Sequence, residues 1–177
     1  MKVTIDELSE GVLTACVGGK TTLDLDLHLI RGGLLKQIDE DVALGELFMM
    51  RISVAAYALQ TFFNADVREQ TRDAFGRRLH AILLSSGEKR IRTEPNKVID
   101  EMNKRYDLYM EAIQTPHHLG PPWNVGKVFA RLCGRELDAD VVMVGSIGFG
   151  GAIVAVTEFL RKCKAMEGGE VIILPAD

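Results

Sequence analysis

The chain has 177 residues and a mass of 19.5 kDa, with 21 Lys plus Arg against 25 Asp plus Glu and a formal charge of −4. Hydrophobic residues make up 47% and charged residues 26%, a balance that excludes a disordered tail, a collagen-like repeat and a disulfide-rich miniprotein. The length predicts one domain over residues 1–177, and the mildly acidic charge argues against a dedicated nucleic-acid binder.

Three cysteines, Cys16, Cys133 and Cys163, lie far apart and form no CxxC pair. They read as reduced thiols of a cytosolic protein. The first residues, MKVTIDELSEG, carry acids where a signal peptide needs an apolar core. The expected location is cytoplasmic. Val141 to Val156 is 16 residues without a charge, shorter than the ~20 a membrane helix needs, and no membrane role is expected.

In chain order, the N-terminal third reads as β. Val12 to Val17 is a short apolar run. Leu23, Leu25, Leu27 and Leu29 alternate with Asp24, Asp26 and His28, the period of a strand with one buried face. Gly18-Gly19 between them suits a hairpin turn. Lys2 to Ile5 offers a further strand. Asp41 to Phe63 then predicts a helix that is apolar nearly all round, and so a buried one. A second helix follows to about Leu84, capped by Asn64 or Asp66, with Val67, Thr71, Phe75, Leu79 and Ile82 at helical spacing.

Thr93-Glu94-Pro95 is a helix start, and Val98, Met102, Tyr106, Tyr109 and Ile113 mark one face of that helix. The prolines between Thr115 and Trp123 exclude regular helix there. A short helix is expected from Asn124 to Cys133, stopped by Gly134. Residues 138–164 admit two readings. The preferred one is strand (Asp140 to Gly145), glycine-rich turn, helix (Ala152 to Ala165) and strand (Glu170 to Leu174). Four glycines between Gly145 and Gly151 would each cost a helix about 1 kcal/mol relative to alanine. The other is one long helix, in which Gly145, Gly148 and Ala152 admit a close neighbour. The expected fold is therefore α+β: a helix-rich single domain with an N-terminal β-hairpin and a C-terminal strand. The alternative is a mainly-α bundle with a long C-terminal helix.

Four groups of residues carry candidate chemistry. Gly145, Ser146, Gly148, Gly150 and Gly151 would form a turn whose backbone N–H groups and serine hydroxyl cradle an anion ahead of a helix, although the spacing matches neither GxGxxG nor the Walker pattern. Asp24, Asp26 and His28 would share one strand face and could contact a divalent ion, but a solvent-facing sheet surface is the preferred explanation. His117 and His118, beside Trp123 in a proline-framed loop, are the candidate catalytic residues, with Asp107 or Glu111 as a metal-assisting acid. No metal centre is assigned. Arg51, alone among apolar residues, must find a partner or reach water, and could hold a ligand carboxylate or phosphate or pair with Glu46 or with a second subunit.

No GxSxG elbow or other catalytic signature is present. The sequence therefore points first to a homo-oligomeric binding or structural protein, a dimer in which a second copy buries apolar helix surface. The alternative is a small-molecule enzyme or binding protein for an anionic, phosphorylated or nucleotide ligand held at the 145–151 turn.

Overall fold

The two 23-residue helices of the chain each begin at an aspartate. Asp39 accepts from the backbone N–H groups of Asp41 and Val42 at 2.9 and 3.1 Å, and Asp138 does the same for Asp140 and Val141. These caps satisfy donors that a helix leaves unpaired in its first turn. The computed structural model describes residues 2–18, 27–31, 38–63, 65–85, 94–136, 138–165 and 171–173. Its helices are α1 (Ile5–Val17), α2 (Glu40–Phe62), α3 (Ala65–Ser85), α4 (Pro95–Gln114), α5 (Pro121–Leu132) and α6 (Ala139–Arg161). Extended pairing among the described residues is confined to β1 (Lys2–Val3), β2 (Cys163–Ala165) and β3 (Val171–Ile173), antiparallel in the order β1-β3-β2.

The protein is helical, and the α+β expectation is overturned. The mainly-α alternative with a long C-terminal helix fits. Val12 to Val17 is the second half of α1, where Leu8, Val12 and Cys16 are buried at a spacing of four. Thr4 closes a capping box with Glu7 at its start. Gly18 ends it at φ 75°, so the first glycine of the expected hairpin turn is instead a helix terminator. Residues 27–31 are a short helical turn, and the rest of the Leu23 to Leu29 alternation lies outside the described residues, as do Asn64 and Thr93. Glu94, without a side-chain bond, occupies the cap of α4 ahead of Pro95.

The strand–turn–helix reading of 140–165 fails for a packing reason. Val141, Val144, Gly145, Gly148, Ala152, Val156 and Leu160 repeat at helical spacing and are buried. α6 packs against α5, α2 and α1. A Cβ on Gly145 would stand 2.7 Å from Phe129 Cβ, and one on Gly148 2.8 Å from Met50 Cε. On the facing helix, a Cβ on Gly126 would meet the Val142 carbonyl oxygen at 2.3 Å. Glycine's cost in helix propensity is offset by two backbones lying almost in contact.

Polar groups in the interior are paired. Glu46 of α2, with a side chain only 4% exposed, takes an ion pair from Arg105 Nε of α4 at 2.5 Å and a bond from the Tyr109 hydroxyl at 3.3 Å. Burial first, and the Glu46 carboxylate second, hold the Tyr109 hydroxyl well above its ordinary pKa. Ser9 Oγ donates to the Ile5 and Thr71 carbonyls, the second tying α1 to α3. Among the described residues no buried side-chain polar atom lacks a partner.

The two partners of the ion pair differ in exposure, 37% for Arg105 against 4% for Glu46, and this predicts unequal mutational costs. Arg105→Met leaves a carboxylate buried and should cost ~3–5 kcal/mol. Glu46→Gln leaves an arginine that can turn to water and should cost about 1–2 kcal/mol. Urea denaturation of both variants checks the order; equal losses would contradict it.

Candidate functional site

The 145–151 segment does not form an anion-binding turn. It is the middle of α6, and its backbone belongs to a continuous helix rather than to a helix N-terminus. The Ser146 hydroxyl donates to the Pro122 carbonyl at 2.9 Å and the Val142 carbonyl at 2.8 Å, joining α6 to the first turn of α5. The glycines divide by neighbour. Gly145 and Gly148 face inward against Phe129, Met50 and Leu47, whereas a Cβ on Gly150 or Gly151 would meet nothing within 4 Å.

The open glycines lie on a face that carries Met143, Ile147 and Val154, which are 44%, 47% and 55% exposed. Met143, Ile147, Gly150 and Val154 follow one another at intervals of four, three and four, the spacing of a helix seam. Asp140 lies exposed at one end of the row, and Glu158 and Arg161 at the other. The Ser146–Pro122 bond sets the start of α5, with exposed Trp123, beside the middle of α6. This surface is the largest departure from a polar exterior on α6. Its signal was present in the spacing, but reading 145–151 as a turn concealed it.

His117 and His118 follow α4, their rings 4.3 Å apart and tilted by 32°. The His117 Nδ1 accepts the Leu119 N–H at 3.1 Å. Desolvation, then His118 and Lys127, lower the His117 pKa below its ordinary value. Asn124 Nδ2 fixes the loop by donating to the Ala112 and Thr115 carbonyls. Glu111 instead lines a separate shallow cleft of about 290 Å³ with Lys127 and Arg131. Among the described residues no three His, Cys, Asp or Glu side chains converge as a metal site would require. Asp24 and Asp26 lie outside the described residues, and His28 is exposed on the 27–31 turn.

Arg51 is buried in α2 and engaged within the chain, while Glu46 is held by Arg105. The Arg51 carbonyl accepts from Cys16 Sγ at 2.6 Å. Arg51 is therefore removed from solvent and from any open ligand site. Burial pushes the thiols of Cys16 and Cys133 up to about 12 and raises that of Cys163, the opposite of an activated nucleophile.

One feature escaped the sequence reading. A cleft of about 440 Å³ opens between α2, α3 and α4. Arg68 and Arg72, one turn apart on α3, line it with Glu69, Phe75, Leu59, Gln60 and Tyr106. Burial raises the Tyr106 pKa, Asp107 adds to the rise, and Arg72 opposes it. Arg72 also reaches Asp73 at 3.6 Å and Glu69 at 3.9 Å on its own helix. A pair of arginines four apart was the available signal, but nothing in the sequence placed Tyr106 opposite them.

The chain matches no protein-family model, no curated protein and no solved structure. Two helices, α2 and α6, are long and apolar enough to cross a membrane, with mean hydropathies of 1.5 and 1.9. α2 is mostly buried and carries Glu46 and Arg51 in its interior, as the core helix of a bundle does.

Proposed function

We propose that the protein is a cytoplasmic, self-associating binding or structural protein that pairs with a second copy through the exposed face of α6. The observation that carries this reading is the row Met143, Ile147 and Val154, open to solvent around two glycines with no neighbour of their own. Contiguous exposed apolar surface marks an interaction site, and closed two-fold pairs are the commonest oligomers. The raised thiol pKa values support a role in binding rather than thiol chemistry. Sedimentation equilibrium should give twice the 19.5 kDa chain mass. Ile147→Glu and Val154→Glu should give monomers with unchanged helical circular dichroism. A monomeric native chain, or one that floats with phosphatidylcholine vesicles, would contradict the proposal.

The cleft at Arg68 and Arg72 favours a second reading, in which the protein also binds an organic anion. An aromatic floor with two guanidinium groups suits a ring bearing a phosphate. Calorimetric titration should show 2-naphthyl phosphate binding more tightly than neutral 2-naphthol. Arg68→Gln combined with Arg72→Gln should abolish the difference. Equal affinity of the native chain for the two compounds would sink this reading.

A further inference from the structure

The exposed face of α6 is self-complementary in one orientation. Gly150 and Gly151 lie at its centre, and the residues on either side are arranged symmetrically about them. Ile147 stands three residues before Gly150, and Val154 three after Gly151. Met143 stands seven residues before Gly150 and exposed Glu158 seven after Gly151, so the thioether would lie along the partner's glutamate stem. Asp140 stands ten residues before Gly150, and Arg161 ten after Gly151. We infer that two copies of α6 pair antiparallel about a two-fold axis between Gly150 and Gly151, each Ile147 packing on the partner's Val154 and each Asp140 meeting the partner's Arg161. This inference rests on the self-association reading and specifies its geometry.

Three observations point the same way. First, the helix places glycine where nothing among the described residues requires it. The inner glycines make room for Phe129, Met50 and Leu47, while Gly150 and Gly151 border open space. Gly45 of α2 and Gly76 of α3 are also open; Arg72, Asp73 and Arg77 surround Gly76, and exposed Asp41 lies one turn before Gly45. At 150–151 the flanking residues are apolar, so a second backbone can approach closely, as small residues allow at helix crossings. Second, Asp140 and Arg161 lie at opposite ends of the row, with exposed Glu158 between Val154 and Arg161. Asp140 is in the first turn of α6 and Arg161 in the last, and neither has an ion-pair partner among the described residues. A parallel pair would set Asp140 against Asp140 and Arg161 against Arg161, whereas the antiparallel pair matches opposite signs at both ends. Third, antiparallel alignment opposes the two helix dipoles, which favours association.

The surface is that of a modest dimer. One helix face supplies a narrow apolar strip, and exposed ion pairs contribute little individually. Charge therefore sets the direction of pairing more than its strength.

A charge-swap cycle on the full chain tests the geometry, with sedimentation equilibrium and circular dichroism as readouts. Asp140→Arg and Arg161→Asp should each weaken dimerisation about tenfold, since each places two like-charged contacts across the interface. The double swap should restore the native dissociation constant to within about twofold, although both changes oppose the dipole of their own helix. Recovery in the double variant is therefore a signature that a merely structural role would not give. Gly150→Ala with Gly151→Ala supplies a second readout: the helix should melt at a higher temperature while the dimer weakens. A native dimer without rescue by the double swap would overturn the antiparallel pairing and leave self-association standing. A native monomer would overturn both.

Discussion

The architecture depends on how closely α6 lies against α5. At Gly126 the two helices leave no room for a single methyl group, because a Cβ there would meet the Val142 carbonyl oxygen at 2.3 Å and Ser146 Oγ at 2.4 Å. Backbone cannot yield as a side-chain end can, so this contact fixes the distance between the helices. The neighbouring fits follow from it. Phe129 lies over Gly145, Met50 and Leu47 of α2 fill the space beside Gly148, and Ser146 reaches the Pro122 carbonyl. α1 closes the far side, where Phe159 lies on Gly11. A helix rich in glycine is thus stabilised by the surfaces it brings together rather than by its propensity.

The long helices were legible where a wide apolar stripe coincided with capping and stop signals. α2 and α3 lie close to their sequence-based positions, because the apolar run from Asp41 and the period of Val67, Thr71 and Phe75 are local signals. α5 stops before Gly134 as expected but starts at Pro121, inside the segment expected to exclude helix, because proline is tolerated in a helix's first turn. Two regions were misread for different reasons. In α1, a six-residue window from Val12 showed an apolar run but not the spacing of four that begins at Leu8. In α6, glycine and valine carry the local signature of a strand and turn, and only tertiary contact reverses it. Phe129, Met50 and Leu47 are distant in sequence from Gly145 and Gly148, so no local rule could weigh their burial.

The site followed the fold. The anion-binding turn required strand, loop and helix, and it disappeared when 145–151 became helix. Arg51 stood out as a lone charge among apolar residues, and it lies buried in the core, engaged within the chain. The surface features left over are of another kind. One is the apolar face of α6, which becomes visible once its glycines are sorted into those facing a neighbour and those facing solvent. The other is the arginine-lined cleft, which exists only because α4 carries Tyr106 across from α3.

Comparative denaturation of Gly126→Ala and Gly151→Ala tests the glycine-mediated packing most directly. The account predicts that Gly126→Ala loses ~1–3 kcal/mol or more through overpacking against backbone. In the monomer, Gly151→Ala should keep or gain stability, since its methyl group enters open space. A Gly126→Ala variant as stable as the native chain would contradict the close contact between α5 and α6, and with it the arrangement of every helix packed around them.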